Sequence, residues 1–158
     1  MTMEKTTAMR ILEAASIAYA HFEYGSGEAT SGVEVSRLLG KDPHTVFKTL
    51  VTVGKSGKHY VYMLPVAEEL DLRKAAIAAG EKAIEMIKTR ELLPLTGYVH
   101  GGCSPIGMRK SFPTFIDETA LICETITFSA GKIGIQVEMA LSDLQKIISV
   151  VPVDLSQI

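Results

Sequence analysis

The sequence VFKTLVTV (46–53), the loop GKSGK (54–58) and the sequence HYVYMLPV (59–66) predict an antiparallel β-hairpin near the middle of the chain. Both apolar runs are rich in β-branched and aromatic residues, and the short loop between them contains glycine, which is typical of a hairpin connection. Shorter helical and extended patterns surround the hairpin without strict alternation. This mixture predicts an α+β fold with a curved, barrel-like mixed β-sheet and helices packed around it.

Hydrophobic periodicity and capping residues predict the remaining elements. Ser31 and Asp71 are suited to begin helices, and Gly40 and Gly80 are suited to end them. Together these signals predict helices over 6–15, 31–39, 71–79, 88–93 and 142–149, and strands over 19–24, 98–102, 114–117, 122–128 and 134–139. The sequence contains no internal repeat, low-complexity segment or linker, so we expect one domain over 1–158.

The composition is that of a globular domain, with 158 residues, 47% hydrophobic residues and 22% charged residues. A formal net charge of −2 provides no overall attraction to nucleic acid, so any contact with RNA requires a local basic patch. No apolar run is long enough to span a bilayer, and residues 1–10 lack the apolar segment of a secretory signal. We therefore expect a cytoplasmic protein without a membrane partner.

The spacing of cysteines and histidines predicts neither a disulfide framework nor a metal site. Cys103 and Cys123 do not form a C-x-x-C pattern, and the four histidines show no metal-ligand spacing. The nucleophile elbow G-x-S-x-G is also absent from the sequence. We expect an activity that uses no metal and no cofactor.

Lys48 is the first candidate for a functional residue. It lies in a predicted strand between Phe47 and Thr49, in largely apolar surroundings. A lysine in such a place either extends its ammonium to solvent or serves a site. Taken alone, the residue favours a solvated lysine on the open face of a sheet.

The loop GGCSPIG (101–107) is the second candidate segment. Paired glycines allow the backbone to approach a ligand closely, and they leave amides free to face an anion or a carbonyl oxygen. Ser104 offers a hydroxyl group and Pro105 stiffens the loop. The loop does not match the patterns of nucleotide-binding glycine loops, and an ordinary tight turn would explain its glycines equally well.

The turn SAGKIG (129–134) joins two strong strand patterns and is the third candidate segment. Hairpin geometry alone accounts for its glycines, so a binding role for Ser129 remains one of two alternatives. Cys103 in the glycine loop could be mistaken for a nucleophile. No base or helix start lies beside it in sequence to lower its pKa, which favours an inert thiol.

Taken together, these segments resemble one family. A mid-sheet F-K-T-L, a T-G-Y-x-x-G-G-x-S-P-x-G motif about fifty residues later, and an S-x-G-K-x-G turn before a V-E strand resemble the YbaK/EbsC family. The resemblance extends over residues 6–148. Members of this family include bacterial deacylases that remove wrong aminoacyl groups from prolyl transfer RNA. The resemblance also implies a mixed sheet that closes toward a barrel.

The resemblance implies roles for individual residues. Lys48 and Gly101 take the catalytic positions. The substrate-binding positions are Tyr24, Phe47, Thr49, Gly102, Ser104, Pro105, Gly107, Ser129 and Gly131. Within the family, the sequence is most similar to the branch that acts on cysteinyl-tRNA with the proline anticodon, and prolyl-tRNA synthetase is the expected partner.

The resemblance also implies a mechanism in which the thiol of the cysteinyl group attacks its own carbonyl carbon and leaves as a thiolactone. An intramolecular nucleophile of this kind has a large effective molarity, so the protein needs no catalytic triad. Two alternatives stay open at this stage. The chain could deacylate another mischarged tRNA such as Ala-tRNA(Pro), or it could bind an aminoacyl-tRNA end or a nucleotide without turnover.

Overall fold

The computed structural model describes residues 4–25 and 31–158. Its α-helices are α1 (Thr7–Ala14), α2 (Gly32–Leu38), α3 (Leu72–Ala79), α4 (Thr89–Thr96) and α5 (Leu141–Leu144), and a short 3-10 helix covers Glu118–Ile122. Its strands are β1 (Ala20–Glu23), β2 (Phe47–Gly54), β3 (His59–Pro65), β4 (Ile84–Met86), β5 (Thr114–Asp117), β6 (Ile126–Lys132), β7 (Ile135–Met139) and β8 (Val150–Val153).

The strands form two sheets. The larger, five-stranded sheet has the order β4-β2-β3-β5-β8, and the predicted hairpin β2–β3 lies at its centre. β5 and β8 run parallel to β3, while the three-stranded sheet β1-β7-β6 is antiparallel throughout. A parallel bridge between Val46 and Thr127 connects the two sheets at the start of β2.

The structure confirms the α+β class but not a closed barrel. In the described part of the chain, β4 and β8 are the outer strands of the larger sheet, and β1 and β6 are those of the smaller one. Closure requires continuous pairing around a ring of strands. Between the two sheets, the bridge from Val46 to Thr127 supplies a single pairing of this kind. The sheets therefore meet only along a line of contact at this bridge, which we call the seam.

Three apolar clusters hold the helices against the sheets. The main core joins Met9 and Leu12 of α1 to Phe47 and Phe128. A second cluster packs α3 on one face of the hairpin β2–β3, and a third packs α4 on the other face, where Val51 contributes. β2 is therefore covered on both sides along most of its length, which fixes the strand that carries Lys48.

The structure confirms the predicted helix starts at Ser31 and Asp71, where a single residue supplies the capping side chain. Ser31 Oγ accepts a hydrogen bond from the Glu34 amide at 3.2 Å, as the N-cap of α2. The Glu34 carboxylate pairs with Arg37 and does not return to the cap, so the reciprocal bond of a capping box is absent from this helix. Asp71 caps α3, and Gly80 ends it with φ +69°.

Three sequence predictions are wrong in whole or in part. The predicted strand 98–102 is a loop, because the Tyr98 amide donates to Thr96 Oγ1 and the Gly102 amide turns back to Val99 O. Only the end of the predicted strand 122–128 is extended, since the 3-10 helix occupies 118–122. The last helix stops after its first turn and continues as tighter turns as far as Ile148.

The sequence also missed two short strands, β4 and β8, which form the edges of the larger sheet. β8 carries Pro152, and β4 is three residues long with Glu85 exposed. Among the described residues, no helix has the length and apolar character required to cross a membrane.

Candidate functional site

The site begins at the seam between the sheets. Val46 pairs with Thr127, and the Thr127 amide donates to Thr45 O at 3.0 Å. Paired residues of neighbouring strands point to the same face, and side chains alternate faces along each strand. Lys48 and Ser129 each follow the bridge by two residues, so both leave their strands on the same side.

Lys48 lies at the open end of this face. Its side chain is 25% exposed, and its Nζ is 3.8 Å from Oε1 of Glu69, whose own side chain is 77% exposed. An exposed pair at this distance contributes little to stability. Phe47, on the opposite face, is 2% exposed and belongs to the main core. The ammonium of Lys48 is thus held on a rigid strand while remaining free to bind a ligand.

The glycine loop 101–107 packs directly against the turn between β6 and β7. A β-carbon on Gly102 would lie 3.0 Å from the backbone nitrogen of Ile133 and 3.3 Å from the carbonyl carbon of Lys132. Gly101 has φ +87°, a conformation that favours glycine. The second and third candidate segments are therefore joined by backbone contacts that require the glycine pair.

The amides of this loop differ in availability. The Gly102 amide donates to Val99 O at 3.0 Å and is occupied. The Gly101 amide has no acceptor within the described residues. Of the two paired glycines, Gly101 is therefore the one whose amide, among the described residues, is unoccupied and could face a carbonyl oxygen.

Other predicted residues of the loop hold its shape. Ser104 is fully buried and its Oγ accepts from the Ile106 amide at 3.2 Å, while Pro105 beside it is buried. The Tyr98 hydroxyl donates to Ile106 O at 2.5 Å, and a β-carbon on Gly107 would lie 3.0 Å from that hydroxyl. A substrate contact by these residues remains a prediction.

The turn 129–134 brings two more predicted residues to the same place. Ser129 Oγ accepts from the Gly131 amide at 3.1 Å, and a β-carbon on Gly131 would lie 2.9 Å from Cε1 of Tyr98. The Tyr24 amide donates to Gly134 O at 2.9 Å, which fixes the end of β1 beside the turn. The glycine loop and the end of β1 thus both contact the turn that follows Ser129, and the strand of Lys48 contacts β6 at the bridge between Val46 and Thr127.

Two buried polar atoms near the seam have no partner among the described residues: Thr49 Oγ1 and Gln136 Oε1. Gln136 is 6% exposed and is paired with Ser129 on one side and with Phe22 on the other, so it shares their face. An unpaired buried acceptor is costly and calls for a specific explanation. Gln136 was not among the residues predicted from the sequence, although a glutamine between Ile135 and Val137 in an apolar strand was an available signal.

Cys103 has the properties of an inert thiol. It lies in the cluster under α4 and is 8% exposed. Burial raises the pKa of Cys103 to about 12, which keeps the thiol protonated at neutral pH. Both cysteines are free, and the described residues include no group of three or more His, Cys, Asp or Glu that could hold a metal ion.

Comparisons with known proteins agree with this geometry. Residues 27–147 match the family described as the aminoacyl-tRNA editing domain. A protein of Enterococcus faecalis (strain ATCC 700802 / V583), provisionally named Cys-tRNA(Pro)/Cys-tRNA(Cys) deacylase EbsC, is 44% identical over 140 residues, which are 88% of this chain and 85% of that protein.

Solved structures share the fold at lower identity. A crystal structure provisionally described as a trans-editing enzyme for prolyl tRNA synthetase has a TM-score of 0.84 at 22% identity and covers 98% of this chain and 99% of its own. The crystal structure of the hypothetical protein APE2540 has a TM-score of 0.83 at 21% identity, and the match covers 94% of this chain and 97% of that protein. The family match, the EbsC relative and the seam that joins the motifs show that this chain belongs to the aminoacyl-tRNA editing domain family.

Proposed function

We propose that this chain is a trans-editing deacylase that removes cysteine from Cys-tRNA(Pro). The observation that carries the proposal is the packing of the glycine loop and the end of β1 against the turn after Ser129, on the strand that bridges to β2 ahead of Lys48, in a chain that belongs to the editing family. The name of the EbsC relative supports cysteine as the aminoacyl group, and that name pairs cysteine with two tRNAs.

The proposed chemistry uses the substrate's own thiol. The sulfur attacks the ester carbonyl carbon, a carbon–sulfur bond forms, and the bond from that carbon to the ribose oxygen breaks. The thiol proton ends on the released ribose hydroxyl, which leaves a cysteine thiolactone and free tRNA. Because the nucleophile is intramolecular, the protein has to orient the group and stabilise the negative charge on the carbonyl oxygen.

The residues of the seam suit these two tasks. In this proposal the Gly101 amide, which has no acceptor among the described residues, donates to the developing oxyanion. Lys48 supplies a cation that can hold the ribose or a phosphate of the terminal adenosine. The unpaired Gln136 oxygen is an acceptor for the α-ammonium of the aminoacyl group. The buried thiol of Cys103 takes no part.

The biological setting follows from the proposed reaction. We propose that residues 1–158 act as one domain in the cytoplasm, where tRNA is charged, and that prolyl-tRNA synthetase is the partner that delivers the substrate. The net charge of −2 supports this arrangement, since it predicts weak binding of tRNA by the protein alone.

The test incubates the purified protein with cysteinyl-, alanyl- and seryl-tRNA(Pro) and identifies early products by mass spectrometry. We expect rapid release of cysteine as the thiolactone and far slower release of serine, because a hydroxyl is a much poorer nucleophile near neutral pH. Equal rates for cysteine and serine would contradict the substrate-assisted route. Preferred release of alanine would change the assigned substrate, and binding without any release would identify a non-catalytic module.

A further inference from the structure

A surface hollow lies beside the glycine loop, at the edge of the candidate site. Residues 4–7 and Arg10, around the start of α1, form one part of its lining, and Gly131 and Lys132 at the end of β6 form the rest together with Tyr98. Its charged lining residues are Glu4, Lys5, Arg10 and Lys132. The hollow therefore carries more positive than negative charge on a protein whose net charge is −2.

The cations of this hollow are not all neutralised by the protein. Lys5 pairs with Glu13 at 2.6 Å. Arg10 and Lys132 are exposed, and neither has a carboxylate within ion-pair distance in 4–25 or 31–158. The lining of the hollow thus sets two unpaired cations, one from α1 and one from the end of β6, against the single carboxylate of Glu4, and this balance favours an anion.

The hollow is continuous with the candidate site. The carbonyl carbon of Lys132 lies 3.3 Å from the β-carbon position of Gly102, at the start of the glycine loop. At the end of that loop, the β-carbon position of Gly107 is 3.3 Å from Cγ2 of Thr7 in α1. The loop thus connects the proposed oxyanion donor, Gly101, with the wall of the hollow.

We infer that this hollow binds the phosphodiester backbone of the substrate RNA close to its aminoacylated end, with Arg10 and Lys132 as the phosphate contacts. The inference rests on the proposed function, since an aminoacyl ester in the seam leaves the adjoining nucleotides of the same strand next to the glycine loop. Phosphate contacts by Arg and Lys position a nucleic acid without reading its sequence. This surface therefore holds the acceptor end in register and leaves the choice of amino acid to the seam.

The test compares the double variant Arg10→Ala/Lys132→Ala with the control Arg73→Ala/Lys82→Ala, which removes the same charges from α3 and the residues after it. Binding of uncharged tRNA is measured from low to moderate salt. We expect the first variant to bind several-fold more weakly, and its salt dependence to fall by about one unit per cation removed. The control should match the unchanged protein.

Deacylation kinetics complete the test. We expect KM for cysteinyl-tRNA to rise in the first variant with little change in kcat, and the cysteinyl ester of adenosine, which has no phosphate, to react equally with all three proteins. An unchanged salt slope, or an equal loss in the control, would overturn the inference. If the unchanged protein deacylates nothing, the proposed function fails, while the binding comparison still decides whether the hollow holds RNA.

Discussion

Val46 and Thr127 form the bridge at which β2 and β6 run side by side, and the backbone bond from Thr127 to Thr45 spans 3.0 Å. Lys48 and Ser129 both follow this contact by two residues and leave their strands on one side. The position of the lysine relative to the turn after β6 is therefore set by rigid backbone rather than by a flexible loop.

Replacing Lys48 with alanine should abolish deacylation and leave the fold intact. The side chain is half-buried and its pair with the exposed Glu69 is weak, so we expect the free energy of unfolding to change by less than about 1 kcal/mol. Single-turnover deacylation and urea unfolding measure the two effects. Lys55→Ala, in the exposed hairpin loop, is the matched control and should keep full activity. Full activity of the Lys48 variant would remove this residue from the site.

The Gly101→Ala variant should lose activity because the added β-carbon disturbs the backbone conformation of the glycine loop. Its φ of +87° strains any residue with a β-carbon by about 1–2 kcal/mol, although the nearest atom to that carbon would be 3.7 Å away. Gly57→Ala in the hairpin loop imposes the same strain at φ +90° with open space around it. We expect both variants to be destabilised to a similar extent, and only the Gly101→Ala variant to lose deacylase activity. Equal activities would show that the loop amide does not act.

Cys103→Ala should remain active and lose about 1 kcal/mol of stability from the third cluster, which lies under α4. Burial raises the pKa of Cys103 to about 12, above its value of roughly 8.5 in an unfolded chain. This thiol therefore contributes stability that is complete below about pH 8.5 and declines as the pH rises toward 12.

Thiol labelling provides an independent check on this assignment. At pH 8 we expect the half-buried Cys123 to react with a maleimide before Cys103 in the native protein. A dead Cys103→Ala variant, together with a protein-bound acyl thioester, would instead identify this residue as the nucleophile.

Gln136→Met should raise stability and lower activity. Removing the unpaired buried amide oxygen relieves a cost of about 1–3 kcal/mol at similar side-chain volume. If the oxygen binds the α-ammonium of the substrate, KM rises for every aminoacyl-tRNA. Gln136→Glu, which keeps an acceptor, should retain more activity than the methionine variant. A methionine variant that is both more stable and fully active would exclude a substrate contact.

The parts of the fold that were predictable depend on local signals. The hairpin β2–β3 and the caps Ser31 and Asp71 follow from residues a few positions apart, and the structure places them as expected. β4 and β8 are short strands that gain their hydrogen bonds from distant partners, and no local pattern marks them. The tail of the predicted helix 142–149 failed because the amides of Lys146 and Ile147 bond three residues back and form tight turns.

The candidate site was predictable in its segments but not in its arrangement. Glycines at 101 and 102 indicated a close backbone approach, and the structure shows the approach to be toward the turn at Ile133. The sequence did not reveal that the Gly102 amide is occupied while that of Gly101 is free. This distinction arises from a turn at Val99, where the sequence favoured a strand.

The outer strands of the larger sheet have a consequence for how the protein behaves in concentrated solution. An open sheet edge can recruit a strand from another molecule, and natural proteins oppose this with short edges, prolines and charges. β8 is four residues long and lacks one backbone donor at Pro152, and β4 is three residues long with an exposed Glu85. Both edges therefore resist aggregation through strand addition, so the sheet that carries Lys48 can remain open to solvent without becoming a nucleus for self-association.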